Sequence, residues 1–128
     1  MNVKVGTLLD SPVVISRLAG EQIVQARTRY RIKRLLKAVT EEAEPARAEW
    51  LQLYKTYGKE LEGGGYRVTP ENWDKFSAEL KTLMETISDT TLMPLTASEL
   101  EAAGIKLSVA EETALAELYT YDLPEEQK

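Results

Sequence analysis

The 128-residue chain contains no cysteine, no histidine and only one phenylalanine. Without cysteine it has no disulfide, no thiolate metal ligand and no cysteine nucleophile, which fits a reducing compartment such as the cytoplasm. Without histidine it lacks the side chain that most often acts as a general base or a metal ligand near neutral pH. Catalysis would therefore depend on carboxylates, lysines, hydroxyls or tyrosines alone. We expect a protein that is not an enzyme and that binds no cofactor and no metal.

Long apolar runs are missing as well. No segment approaches the roughly 20 apolar residues of a membrane-spanning helix, so we expect no membrane partner. The apolar stretch at residues 1–5 is too short for a signal peptide. An apolar fraction of 43% and a charged fraction of 29% are ordinary for a globular protein. We predict a single domain over residues 1–128, with a flexible acidic tail at residues 122–128.

Positive and negative charges are separated along the chain. The net charge is −5, yet six cationic residues and no acidic residue lie between Glu21 and Glu41. The rest of the chain therefore carries −11 (−5 less the +6 of this segment), and residues 94–128 contain eight acids against two lysines. The six cations are Arg27, Arg29, Arg31, Lys33, Arg34 and Lys37. We call this segment, residues 27–37, the basic band.

Apolar residues spaced alternately four and three apart run through the middle of the chain. They are Ile32, Leu36, Val39, Ala43, Ala46, Trp50, Leu53 and Tyr57. This heptad-like spacing, typical of a coiled coil, predicts one apolar stripe on a long helix that begins near Glu21 and lasts some forty residues. The spacing continues unchanged across Pro45, so we expect one kinked helix rather than two.

A second helix follows a glycine-rich turn at residues 63–65. Its start is predicted at Thr69, because a hydroxyl cap is followed by a proline and an acid. Its own apolar stripe consists of Trp73, Phe76, Leu80, Leu83 and Ile87. The two stripes predict a mainly α fold in which the long kinked helix and the second helix form an antiparallel helical hairpin.

Short elements are predicted at both ends of the chain. Residues 3–9 favour a strand, followed by a helix that begins at Ser11 and Pro12 and ends at Gly20. Residues 91–95 favour a strand that pairs with residues 3–5 or with the segment at Val68. Capping boxes of the type Ser/Thr-x-x-Glu begin two further helices. Together these short elements should add short helices and a small two- or three-stranded β patch to the hairpin.

The basic band is the strongest candidate for a binding site. Arg27, Arg31 and Arg34 fall on one helical face and could hold the phosphates of a nucleic acid or an acidic protein. The simplest interpretation of the band is a solvated surface or a partner for the acidic segments of the chain itself. A pI of 4.9 weighs against nucleic acid, because the remaining charge would repel phosphates. We predict Arg27, Arg31, Arg34 and Tyr54 as the residues that bind a partner.

Tyr54 is included because of its position among the aromatic residues of the hairpin. Trp50, Tyr57, Trp73 and Phe76 fall on the inward stripes, whereas Tyr54 lies one step off and is expected to be exposed. Tyrosine, tryptophan and arginine are favoured anchors of interfaces.

Self-association is expected because two helices alone rarely cover their apolar stripes. A second copy would complete a four-helix arrangement, so we predict a homodimer. The self-association residues would be Ile32, Leu36, Val39 and Trp50.

Several short sequence patterns occur in an order that resembles a known group of proteins. These patterns are Arg27-x-Arg29-x-Arg31, Trp50-Leu51-x-Leu53-Tyr54-x-x-Tyr57-Gly58, Phe76-x-x-Glu79-Leu80, Pro94-Leu95 and Ser98-Glu99-Leu100. Over residues 22–119 the chain resembles, in residue types, the small and mostly uncharacterised proteins of tailed phages and prophages. The resemblance implies a phage origin and a helical core with a small sheet, and it transfers no catalytic residue. It places the protein in the cytoplasm of the host bacterium or in the virion.

These observations lead to a hypothesis of function with two alternatives. The first is a non-enzymatic phage accessory protein that assembles through its helical hairpin and binds another macromolecule, most simply a protein. An alternative is a nucleic-acid-binding module that uses the basic band at residues 27–37. Another is an inhibitor of a host enzyme that acts through the acidic C-terminal third.

Overall fold

The computed structural model describes residues 1–121, which form a mainly α fold with a long helix and small two-stranded sheets, as the sequence predicts. The helices are α1 (Val5–Ala19), α2 (Ala26–Tyr57), α3 (Trp73–Glu85), α4 (Ala97–Ala102) and α5 (Val109–Leu115). The strands are β1 (Asn2–Lys4), β2 (Gly58–Glu60), β3 (Tyr66–Val68), β4 (Ile87–Asp89), β5 (Leu95–Thr96) and β6 (Tyr119–Thr120). Short 3₁₀ turns occupy Pro70–Asn72 and Ala116–Leu118.

The long helix α2 is continuous through Pro45, which confirms the prediction of one helix rather than two. Its 32 residues span about 48 Å at 1.5 Å per residue. It begins at Ala26, after an extended Gln25, and so starts later than expected. It ends at Gly58, where a side chain would lie 2.6 Å from the carbonyl oxygen of Tyr54. Only glycine therefore allows the chain to turn directly from α2 into β2.

The helix α3 returns along the C-terminal part of α2. Strands β2 and β3 form an antiparallel hairpin between the two helices. The side chain of Asn72 donates a hydrogen bond to the carbonyl of Tyr57 (3.1 Å), and the ring centroids of Tyr54 and Phe76 are 4.9 Å apart. Residue numbers thus rise on one helix as they fall on the other, so α2 and α3 run antiparallel.

The N-terminal segment differs from the sequence prediction. The strand β1 ends at Lys4, the helix α1 begins at Val5, and Pro12 lies inside this helix rather than at its start. The buried residues of α1 recur three or four apart, and this packing outweighs the strand propensity of the segment. Gly20 caps α1, as predicted. Helix α1 packs on the N-terminal half of α2 and is the most extensive partner of the long helix.

The strands form three separate two-stranded sheets instead of one patch. Strand β1 pairs antiparallel with β4, and β3, which contains Val68, pairs with β2. The prediction that residues 91–95 pair with residues 3–5 or with the segment at Val68 is therefore wrong. Ile87, assigned by sequence to the stripe of the second helix, lies in β4 and is 54% exposed. Strand β5 pairs in parallel with β6, which ties the end of the described chain to the start of α4.

Both predicted capping boxes are present. The hydroxyl of Thr96 accepts a hydrogen bond from the backbone N–H of Glu99, whose carboxylate accepts one from the N–H of Thr96. Ser108 and Glu111 make the same reciprocal pair at the start of α5. Helix α5 ends at Leu115, a few residues earlier than expected. The predicted flexible tail at residues 122–128 lies outside the described residues.

The buried core lies at one end of the molecule. It is built by α1, by residues 26–43 of α2 and by residues 92–118, which together we call the head. The remaining part, residues 46–85, contains the second half of α2, the hairpin β2–β3 and α3, and we call it the arm. Only Ala46 and Phe76 are buried within the arm. The predicted apolar stripe of α2 is therefore buried in the head at Ile32, Val39 and Ala43, with Leu36 half-buried, and is partly covered in the arm.

Candidate functional site

The structure divides the cations of the basic band into two groups. Arg31 is half-buried and makes two hydrogen bonds to the carboxylate of Glu99 through Nε and Nη2, the second of 3.1 Å. Its Nη2 also donates to the carbonyl oxygen of Pro94 at 3.1 Å. Arg31 therefore holds residues 94–99 against α2 and has little charge to offer to a partner.

The pKa of Glu99 reflects this pairing. Partial burial is the largest single influence and acts to raise the pKa. The hydrogen bond from Arg31, the backbone N–H of Thr96 and the positive charge nearby together outweigh it, so the pKa of Glu99 lies below its ordinary value. The hydrogen bond to Glu99 correspondingly raises the pKa of Arg31. Both groups are charged at neutral pH.

Four other cations of the basic band are exposed and make no ion pair with any residue in the range 1–121. These are Arg27, Lys33, Arg34 and Lys37, and we call them the cationic face. At 3.6 residues per turn they occupy about a third of the helix circumference, on the side opposite the core residues. Tyr30 lies among them and is 63% exposed. Arg29 points elsewhere and donates to the carbonyl of Ile23.

A groove borders the cationic face. A cavity of about 310 Å³ separates α2 from residues 91–93, and a shallower depression of about 500 Å³ continues it along the helix. The two share Tyr30, Arg34, Ala38 and Glu41, so they form one continuous groove. Leu35 and Leu92 line the cavity and are nearly buried, whereas Met93 is 67% exposed at its edge.

Tyr54, assigned by sequence to the same partner site as the arginines, lies in the arm. It is half-buried between Trp50 and Phe76, with ring centroids 6.3 and 4.9 Å away. Arg34 precedes it by 20 residues on α2, which is about 30 Å along the helix axis. The structure therefore does not bring Tyr54 together with the predicted arginines.

The predicted self-association residues have different surroundings. Ile32 and Val39 are fully buried in the core of the head and have no surface to offer to a second copy. Leu36 is half-buried and packs against that core. Trp50 is half-buried in the arm, and its indole Nε1 is buried with no hydrogen-bond partner among residues 1–121.

Several residues of the groove were not predicted from sequence. The sequence indicated a solvated helix surface at Glu41 and Glu42, and a strand at Leu92 and Met93. Pairing of the basic band with acidic segments of the chain was left open, but the sequence did not identify Glu99, 68 residues away, as the partner of Arg31. The neighbouring residues of Glu99 predict its role in the capping box, but they do not predict its ion pair.

Among residues 1–121, no group of three or more acidic side chains converges as a metal site. Within the same residues, no helix is both long enough and apolar enough to cross a bilayer.

Comparison with known proteins identifies no relative. No family model matches the chain, and neither the curated proteins nor the solved structures include one that is significantly similar to it. We therefore interpret the cationic face and the groove through their own chemistry.

Proposed function

We propose that the chain is a non-enzymatic interaction protein, of the accessory type found in tailed phages and prophages, that binds a negatively charged macromolecule through its cationic face. The observation that carries this proposal is the contrast between Arg31, which is neutralised by Glu99, and the four exposed cations beside it. Like charges at helical spacings such as Lys33 and Lys37 destabilise a helix by a few tenths of a kcal/mol. The stability of α2 itself therefore does not explain the cationic face.

The chemistry around the cationic face favours an acidic protein over a nucleic acid. Glu41 and Glu42 lie about one to four turns beyond these cations on the same helix, and they interrupt the positive surface that a phosphate backbone would follow. The net charge of −5 also opposes nucleic acid at long range. The apolar floor of the groove suits a protein side chain.

Affinity capture with a charge-reversal variant tests the proposal. The bait is the full chain, compared with the quadruple variant R27E/K33E/R34E/K37E, in a lysate of the cells that encode the protein. We expect a nuclease-resistant acidic protein to be retained at about 0.1 M salt, released at about 0.5 M, where charges are strongly screened, and absent with the variant. Equal retention by both baits would refute the proposal. Capture that disappears after nuclease treatment would instead support the nucleic-acid alternative.

Self-assembly is the second part of the proposal, and the arm is the surface that supports it. Within the arm, Trp73 is 55% exposed, Leu51 48% and Leu61 47%. Two packed helices cover only one side of each other, so a second copy would cover what the arm leaves exposed. Residues of the head such as Ile32 take no part in the contact between the two copies.

Light scattering tests the assembly. We expect a dimer of twice 14.4 kDa for the full chain and a monomer for Trp73→Ser. The matched control is Val109→Ser, since Val109 is 80% exposed in the head and should leave the dimer intact. A monomer at all concentrations for the unaltered chain would refute this part alone.

The inhibitor alternative is less well supported. Glu99 and Glu111, in the acidic C-terminal third, are engaged in internal ion pairs with Arg31 and Arg17 and in capping boxes. These carboxylates therefore have less charge available to imitate a nucleic acid. The proposed phage origin would place the protein in the host cytoplasm or in the virion.

A further inference from the structure

We infer that the groove is a docking site for an extended peptide segment of the protein partner. The segment would carry acidic residues at one end, a large apolar side chain in the middle and a basic residue at the other end. This inference rests on the proposed function, because it names the part of the partner that the cationic face receives.

The dimensions of the groove suit an extended peptide. It follows α2 from Tyr30 to Glu42, which is about 18 Å along the helix axis. An extended chain covers that distance with five or six residues at about 3.3 Å each. A folded helix of the same span would need about 12 residues and a width near 10 Å, more than a cavity of about 310 Å³ admits.

The middle of the groove is apolar. Leu35, Ala38 and Leu92 form its floor, and the exposed side chains of Tyr30 and Met93 stand at its edges. A leucine or an aromatic side chain placed there would remove apolar surface from water on both sides of the contact, which stabilises the complex by roughly 25 cal/mol for each Å². Met93 can adapt its shape to the incoming side chain because methionine is unbranched.

The two ends of the groove carry opposite charges. Lys33, Arg34 and Lys37 line the first part, and Glu41 and Glu42 line the end nearer the arm. A segment with acids at one end and a base at the other would satisfy both ends in only one direction. A uniformly anionic ligand would meet repulsion from Glu41 and Glu42, which distinguishes this site from a phosphate track.

The wall opposite α2 is held in place before any ligand binds. The carbonyl of Pro94, directly after Met93, accepts a hydrogen bond from Arg31 (3.1 Å). On the other side, the N–H of Leu92 donates to the hydroxyl of the buried Thr90 (3.4 Å). Fixing both ends of residues 91–93 reduces the entropy lost when a peptide is bound.

Fluorescence polarisation with a defined peptide tests the inference. The probe is a labelled, end-blocked hexapeptide of two glutamates, then leucine and phenylalanine, then two lysines, used together with its reversed sequence. Two control peptides are used. The first contains the same residues in an order that alternates the charges, and the second has serines in place of the leucine and the phenylalanine. We expect one direction of the probe to bind the full chain and both control peptides to bind at least about tenfold more weakly, as the loss of about 1.4 kcal/mol implies.

Matched variants locate the binding. Arg34→Glu and Met93→Ser alter exposed groove residues, so they should leave the circular dichroism unchanged while weakening the probe about tenfold or more. Arg47→Glu on the same helix and Val109→Ser in the head are exposed controls outside the groove and should stay within about twofold. Equal weakening by Arg34→Glu and Arg47→Glu would overturn the inference, because it would indicate attraction by overall charge.

Other occupants of the groove would give different results. If the probe binds only the full-length variant D122S/E125S/E126S, the acidic end of the chain itself fills the groove, and the inference is overturned. Tighter binding of single-stranded DNA than of the probe, lost in Arg34→Glu, would also overturn it. If the probe does not bind but the full chain still captures an acidic protein from the lysate and the charge-reversal variant does not, the groove is rejected and the proposed function is kept. If the full chain captures no such protein, both are rejected.

Discussion

In the head, α2 is covered on its core side by α1 and by residues 92–118, whereas in the arm the same helix packs against α3 and the hairpin β2–β3. The head buries Leu8, Ile15 and Leu18 almost completely, and the arm buries a single large side chain, Phe76. One continuous helix therefore passes from a well-buried core into a thinner layer formed by two helices and a hairpin. Local stability follows the density of buried apolar contacts, so the two regions should open with different free energies.

The difference also separates the two proposed surfaces. The head carries on its outer side the groove and four exposed cations that make no ion pair within residues 1–121. The arm, with Trp73 more than half exposed, is suited to gain stability from a second copy. Binding of a partner and self-assembly can therefore occur at opposite ends of α2 without competing.

Two single leucine-to-alanine variants, one in the head and one in the arm, should show the largest difference in the free energy of unfolding. Leu18 is fully buried in the head, and Leu51 is 48% exposed in the arm. We expect Leu18→Ala to lower the free energy of unfolding by about 4 kcal/mol, because a cavity remains in a rigid core. At a protein concentration low enough to keep the chain monomeric, Leu51→Ala should lower it by less than about 0.5 kcal/mol. Urea denaturation measures both values, and similar losses would show that the head and the arm are equally packed.

Phe76→Ala should have the next largest effect, and it should act mainly on the arm. Phe76 contacts Tyr54 and Trp73, with ring centroids 4.9 and 5.9 Å away. We expect a loss of about 3 kcal/mol, near the lower limit for this substitution, because the half-buried neighbours can move into the space. Hydrogen exchange should accelerate in α3 and leave α1 protected. Uniform acceleration in both helices would mean that the molecule opens as one unit.

The sequence predicted the features that depend on neighbouring residues. Thr96 and Ser108 each lie three residues before a glutamate, so their capping boxes could be identified without knowledge of the fold. The unbroken apolar spacing around Pro45 likewise predicted a continuous α2, because packing on both sides of the proline outweighs its missing hydrogen bond.

Features that depend on distant residues were missed. Pro12 looked like the start of a helix, but the apolar face of α1 is defined only by its contact with α2. The pairing of Arg31 with Glu99 also joins two elements whose arrangement the sequence did not predict. Sequence reasoning consequently grouped Arg31 with cations that have different surroundings.

The pair Arg31–Glu99 is the main polar link between α2 and the C-terminal part of the head. At pH 7 we expect Glu99→Gln to lower the free energy of unfolding by about 2 kcal/mol, because a half-buried arginine loses its charged partner. Glu101→Gln, on the exposed side of α4, is the matched control and should be nearly neutral.

The same variant has a characteristic pH dependence. Because folding lowers the pKa of Glu99, its contribution is complete above the ordinary value of 4.5 and is lost as the pH falls through the lower value of the folded state. The difference in stability between the unaltered chain and Glu99→Gln should therefore shrink below about pH 4. A difference that stays constant from pH 7 to pH 3 would show that Glu99 acts without its charge.

The smallest expected effects come from two buried polar atoms without a hydrogen-bond partner among residues 1–121, one in each region. The hydroxyl of Ser11 is enclosed in the head, and Nε1 of Trp50 lies in the arm. We expect Ser11→Ala to raise the free energy of unfolding by about 1 kcal/mol, because the variant no longer buries an unsatisfied hydroxyl.

Trp50→Phe should change the stability by less than about 0.5 kcal/mol, because a region that opens readily lets water reach the indole and reduces the penalty that the substitution removes. Thermal denaturation at a fixed protein concentration compares the two variants, with the concentration held constant so that any dimer contributes equally. A gain for Trp50→Phe as large as that for Ser11→Ala would mean that the arm excludes water as well as the head does. In that case the arm would already be closed as a monomer, and the reason for a second copy to cover it would disappear.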